Sequence, residues 1–428
     1  MLTMIPRRLC ALCALLLLTL GLQAASPAPS HRSAKPISGT VAPTASTPAA
    51  LPDNVTPLVA ATNEFGFRLL TAFGRKGDTQ NLLLSPLSLE MALGMTYNGA
   101  RGETRAAIGK ALGVEKMPPA TVSAANAQML GLLHAADSAV TLEIANSLWS
   151  SDKAPLNADF RARTARDYDA EVQAVNFGDP GAAKQINSWI SNHTGKKIDR
   201  LIEKTDAGDI LYLVNALYFK GSWQTAFNKK LTATHPFTLP NGKKLPVPMM
   251  AATGKFRYQE NETFQAIQLP YGKGRFSLLI FLPNADVTLD DIRHALTAAN
   301  WHRWMLAFKE DQGILRLPRF SARYTGELQQ PLTALGMGVA FSGNADFGDM
   351  FQKPEGANIS DVLHGVALTV DEEGTTAAAA TVVKMSKSIH HGPHLAFEML
   401  VDHPFFCAIR DDKTGAVLFL GTIVNPGG

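Results

Sequence analysis

Two clusters and one ribbon of this 428-residue chain have side chains that could do chemistry. His390, His391 and His394 put three imidazoles within five residues, close enough to hold a transition metal. No Asp, Glu or Cys nearby completes a shell, and Gly392 and Pro393 between them favour a turn. The cluster therefore reads as an exposed polar loop, and no metal or other cofactor is expected. Of the cysteines Cys10, Cys13 and Cys407, the last lies in the apolar run Pro404–Ile409 and reads as a buried, inert thiol. The chain has no G-x-S-x-G elbow, H-E-x-x-H pair, P-loop or G-x-G-x-x-G turn. Nothing points to a scattered Ser/His/Asp triad, so the chain reads as no enzyme.

The ribbon is residues 371–388. As a helix, its four alanines are good formers but the surrounding Thr and Val weaken it. As a strand, one face carries Thr375, Ala377, Ala379, Thr381, Val383 and Met385. The other carries Thr376, Ala378, Ala380, Val382 and Lys384. The first face is uncharged throughout. A segment that must pass from solvent into the middle of a sheet needs that pattern, because small side chains slip between strands and no charge is buried. Gly374, just ahead of it, supplies a hinge.

The elements that must position this ribbon fall into two halves. Leu58, Ala61, Phe65, Leu69 and Phe73 recur at helical spacing, and Gly74 can end that helix. Ser85-Pro86 starts a second, with Ser as N-cap and Pro where its missing N–H costs nothing. Further helices are expected over 104–112, 182–193 and 289–306. Strands are expected over 211–220, 266–271, 276–283, 314–320, 366–371, 405–410 and 416–424. Helices first and strands later predict an α+β fold with large, mostly antiparallel sheets.

At the N-terminus, Arg7 and Arg8 precede an apolar run from Leu9 to Leu22, shorter than the about 20 residues a membrane span needs. Leu22-Gln23-Ala24 follows with small-residue cleavage chemistry, so 1–24 reads as a signal peptide. Its removal takes two cysteines and two arginines, leaving Cys407 alone and lowering the formal charge from +3 to +1. Residues 25–55, rich in Ala, Pro, Ser and Thr, read as a flexible tether, and 56–428 as one domain. The reading is a secreted monomer with no membrane span in the mature form. Its dispersed charge does not suit nucleic acid.

Glu372-Glu373-Gly374-Thr375-Thr376-Ala377-Ala378-Ala379-Ala380-Thr381 resembles the hinge of inhibitory serpins almost residue for residue. Asn81 to Ser88, Asn215 to Trp223 with Phe227, and Leu317-Pro318-Arg319-Phe320 resemble landmarks of that family. So do Leu335-Gly336 with Phe341, Ala345-Asp346-Phe347, His364 to Gly374, His403-Pro404-Phe405 and Gly421 to Pro426, all in family order. The resemblance implies helices packed on large sheets, and an exposed reactive-centre loop over about 372–394. It implies a serine protease as partner, trapped when the cut loop enters the sheet as a new strand. Non-inhibitory binding or chaperone relatives usually carry bulky or charged hinge residues, which this hinge lacks. By position, Ser85, Ser88, Asn215 and His364 resemble the polar cluster that controls sheet opening. Trp223 and Arg319 resemble residues where the loop enters, with Glu372 paired to Arg319. Counting Gly374 as the fifteenth residue before the cut places the bond at Ser388–Ile389. Lys387–Ser388 would suit a trypsin-like protease, and Met385–Ser386 a chymotrypsin- or elastase-like one.

Overall fold

The computed structural model describes residues 50–74, 79–134, 136–375 and 395–427. Helix α1 (Val55–Ala72) buries Leu58, Phe65 and Leu69 along one stripe, and Gly74 follows at positive φ. Residues 50–54 lead straight into it. Strand β1 (Leu82–Leu84) enters α2 (Pro86–Gly99), where the Ser85 side chain accepts from Ser88 N–H and Pro86 occupies the first turn. Helix α2 is buried on nearly every face, as befits a helix inside the molecule. Then come α3 (Gly102–Leu112) and α4 (Pro119–His134). Strand β2 (Val140–Ser151), α5 (Ala158–Tyr168), β3 (Ala170–Val175) and α6 (Ala182–His193) complete the first half.

The second half holds β4 (Leu211–Ser222), β5 (Ala233–Thr238), β6 (Lys244–Glu260), β7 (Phe264–Tyr271) and β8 (Phe276–Pro283). Helices α7 (Leu289–Ala295) and α8 (Ala298–Ala307) follow, then β9 (Lys309–Pro318) and β10 (Phe320–Glu327). The chain then forms β11 (Asp361–Val370), β12 (Gly374–Thr375), β13 (Phe397–Leu400), β14 (Phe405–Asp411) and β15 (Val417–Ile423).

These strands make two sheets. The larger runs β1-β15-β14-β8-β7-β6-β9-β13, with β5 also on β6; the smaller runs β10-β11-β12-β4-β2-β3. Pairing is antiparallel except at β2–β3, β4–β11 and β9–β13. The main core joins α1 to α4 with both sheets, while a second cluster packs Ile186, Trp189 and Ile190 of α6 over Tyr212, Val214 and Ala216 of β4.

The architecture is the expected α+β one, with four departures. The stretch 289–306 is two helices: Leu296 takes extended φ/ψ, and Thr297 caps a fresh start. The stretch 314–320 is two strands meeting at Arg319: β9 pairs with β6 up to Pro318, and β10 pairs with β11 from Phe320. Strands β2 and β3 lie among the helices rather than after them. Helices α4 and α5 and strands β1, β5, β6 and β13 were not anticipated.

Candidate functional site

The six-stranded sheet has a seam. Strands β4 and β11 lie side by side and parallel, paired from Tyr212↔Asp361 to Tyr218↔Ala367. Above that ladder they part, and β12 lies between them. Gly374 is opposite Ser222, and Thr375 is opposite Gly221 on one side and Val370 on the other, antiparallel to both. Gly374 has φ +149, and a Cβ there would come within 2.1 Å of the Gly221 carbonyl oxygen. Thr375 is fully buried, its hydroxyl 2.6 Å from the equally buried Tyr271 hydroxyl. The sequence had the hinge wholly in an exposed loop; Gly374 and Thr375 are already in the sheet.

A turn holds this wedge. The Asp371 carboxylate accepts from the N–H groups of Glu373 and Gly374. The Trp223 indole donates to Asp371 O at 2.8 Å, and Trp223 and Phe227 N–H donate to Glu373 O and Glu372 O at 2.9 Å each. Trp223 stacks on Tyr271 at 4.4 Å between centroids. Arg319 grips Glu372 through Nε and a terminal nitrogen, at 2.8 and 2.6 Å. Burial alone would raise the Glu372 carboxyl, but hydrogen bonds from Arg319 and Thr232 outweigh it and hold it below its ordinary range. Glu373 pairs with Lys229.

Lower on the same seam lies a row of polar groups. Asn146 of β2, Asn215 of β4 and His364 of β11 are in register across three strands, above the start of α2. Asn215 Oδ1 accepts from the Ser88 hydroxyl at 2.7 Å and lies 2.7 Å from His364 Nδ1. Its amide donates to Ser88 O at 3.1 Å and to Asn146 Oδ1 at 2.6 Å. Ser85 N–H donates to His364 Nε2 at 3.1 Å. With Nε2 an acceptor, the proton belongs on Nδ1 and the ring is neutral. Burial pushes the imidazole down to about 3, consistent with that tautomer.

A family model described as "Serpin (serine protease inhibitor)" matches residues 60–426. The chain belongs to the serpin family. Mouse neuroserpin is 31% identical over 82% of this chain and 87% of its own length. Serine protease inhibitor 42Dd of Drosophila melanogaster is also 31% identical, over 87% of this serpin and 98% of its own length. Among solved structures, the thermophilic serpin tengpin in its native state superposes with a TM-score of 0.79. It is 29% identical, covering 86% of this chain and 94% of that one.

In this serpin the structure brings Ser85, Ser88, Asn215 and His364 into one hydrogen-bonded group, and Trp223, Arg319 and Glu372 into another. The rest of the hinge from Thr376 to Thr381, the bond candidates Met385 to Ile389, and His390, His391 and His394 lie outside the described residues. Among the described residues no group of His, Cys, Asp and Glu could hold a metal. No helix there is long and apolar enough to cross a membrane. Cys407 is buried, and burial pushes its thiol up to about 12, so it is no nucleophile at neutral pH. Sequence reasoning missed Asn146, Tyr271, Thr232 and Lys229. Asn146 had a signal, a lone amide inside a strand-like run. Tyr271 had none, since its partner is 104 residues away.

Proposed function

We propose that this serpin inhibits serine proteases by loop insertion, with the β4–β11 seam as the slot that receives the loop. The observation that carries the reading is β12, which has entered between two parallel strands and is antiparallel to both. Continuing it downward would exchange one parallel ladder for two antiparallel ones, the more stable pairing per residue. At the same register Thr375, Ala377, Ala379, Thr381 and Val383 would face the main core. Thr381 would come between Asn215 and His364, where its hydroxyl could replace the hydrogen bond it separates. Ser85, Ser88, Asn215 and His364 are then the clasp that must open, and Arg319, Trp223 and Glu372 fix the entry.

The protein would contribute a peptide bond and no catalytic group. The protease serine oxygen attacks the carbonyl carbon of the bait residue, and the C–N bond breaks. The new amino terminus departs with the proton, leaving an ester. Insertion of the cut loop would carry the esterified protease away before water reaches that ester. The same reading has residues 1–24 removed on export, which the mass of the mature protein would test.

Incubation with trypsin, chymotrypsin and elastase decides the matter. An SDS-stable complex with one of them, with a cut among Met385–Ser386, Lys387–Ser388 and Ser388–Ile389, is expected. If Lys387 is the bait residue, Lys387→Ala slows a trypsin-like target strongly and leaves an elastase-like one nearly unchanged. Cleavage without complex by every protease would refute inhibition and favour a binding or chaperone role.

A further inference from the structure

Two hollows of about 450 and 380 Å³ adjoin one another between α2, α3, α4 and α5. They share Asn98, Arg163 and Asp349 in their walls. Four arginines line the pair: Arg101 and Arg105 at the start of α3, Arg163 and Arg166 on α5. Three are engaged by carboxylates. Arg101 and Arg105 both bind Asp349, the latter at 2.7 Å, and Arg166 binds Asp167 through two bonds of 2.7 and 2.9 Å. The two cations beside Asp349, Arg101 foremost, hold its carboxyl below its ordinary range, so one anion is shared between two guanidinium groups.

Arg163 is different. It is half-buried, it faces both hollows, and no carboxylate or carbonyl among the described residues accepts from it. Arg105 Nε is buried and likewise lacks an acceptor. The Arg105 Nε is cut off from water, whereas the Arg163 nitrogens reach solvent, so an anion entering the hollows can meet them directly. The walls thus present more donors than the protein's own oxygens satisfy. Asp159, at the rim of the smaller hollow, is the one opposing charge not already in an ion pair. The larger hollow, walled by Arg105, Arg163 and Arg166, is the more cationic.

We infer that this double hollow binds a small molecule carrying two or more oxyanion groups, with Arg163 as the fork between them. A guanidinium plane matches phosphate, sulfate or carboxylate through paired hydrogen bonds. Each hollow has room for more than one such group, and a ligand reaching both must pass Arg163. The residues involved are separate from the hinge and the polar row, so the inference stands or falls independently of protease inhibition.

Calorimetric titration of the full chain with inorganic pyrophosphate and, separately, citrate tests it. Saturable one-to-one binding of either is expected, and which one binds better distinguishes a phosphate from a carboxylate ligand. Arg163→Gln should weaken that binding about tenfold or more, the loss of a charge-assisted hydrogen bond, and Arg163→Lys by less. Ala124→Glu, which puts a negative charge into the larger hollow without removing an arginine, should abolish it. No saturable binding of either probe overturns the inference. So does unchanged affinity in Arg163→Gln, or binding only of a long sulfated polysaccharide that Arg163→Gln leaves intact.

Discussion

Glu90 lies in the middle of α2, fully buried, with one oxygen accepting from the Asn126 amide at 3.2 Å and the other without a partner. Burial pushes its carboxyl from 4.5 up to about 8, against a smaller lowering by Asn126. The folded protein therefore keeps this proton where the unfolded chain has lost it. The stability so held is complete below about pH 4.5 and is lost as pH rises through about 8. Glu90→Gln should melt like the parent at pH 4 and above it at pH 9, by on the order of a few kcal/mol. Equal melting at both pH values would show that Glu90 is ionised in place. Thr375 calls for a different test, because it is buried already. Arginine there would put a charge against Tyr271, at a cost of several kcal/mol, and would drive the hinge out of the sheet. Thr375→Arg should lower the melting temperature of the intact protein and turn it into a substrate, cut without forming a complex. Gels run after protease challenge check the second outcome; full trapping by the variant would contradict the seat assigned to Thr375.

At the scale of elements, β12 is held by backbone geometry as much as by side chains. Gly374 can lie against Gly221 only because it has no Cβ, and its φ of +149 is one that other residues rarely adopt. Gly374→Ala should therefore unpair β12 while leaving the Arg319–Glu372 grip in place. Stability of the intact protein should fall by about 1–3 kcal/mol, and amide exchange at Gly221 and Ser222 should speed up. Unchanged exchange there would mean that the wedge tolerates a methyl group. The strands below β12 explain why the hinge goes no further into the intact seam. Below Thr375 the seven-pair β4–β11 ladder is intact, and the Asn215–His364 contact lies within it.

For the molecule as a whole, the proposed insertion would make the intact fold one that can still gain structure. A loop cut on its far side would be free to add a central strand, with ladder bonds to both neighbours and one uncharged face against the main core. Nicked protein should melt several degrees or more above intact protein, since each kcal/mol gained moves the midpoint by degrees. Scanning calorimetry of both forms checks this, and a nicked form that melts no higher would remove the basis for insertion.

Much of this was legible in the chain because it is local. Ser85-Pro86 announced a capped helix, and Gly374 announced a backbone position other residues avoid. The family landmarks placed Ser85, Ser88, Asn215 and His364 in one group, and Glu372 against Arg319. What the chain could not state was register. Whether β4 and β11 touch, how far the hinge has entered, and that Asn146 and Tyr271 face Asn215 and Thr375 depend on strand pairs 69 to 149 residues apart. Such pairings are chosen by the competition of whole ladders and cores, and no short stretch of sequence carries that competition within itself.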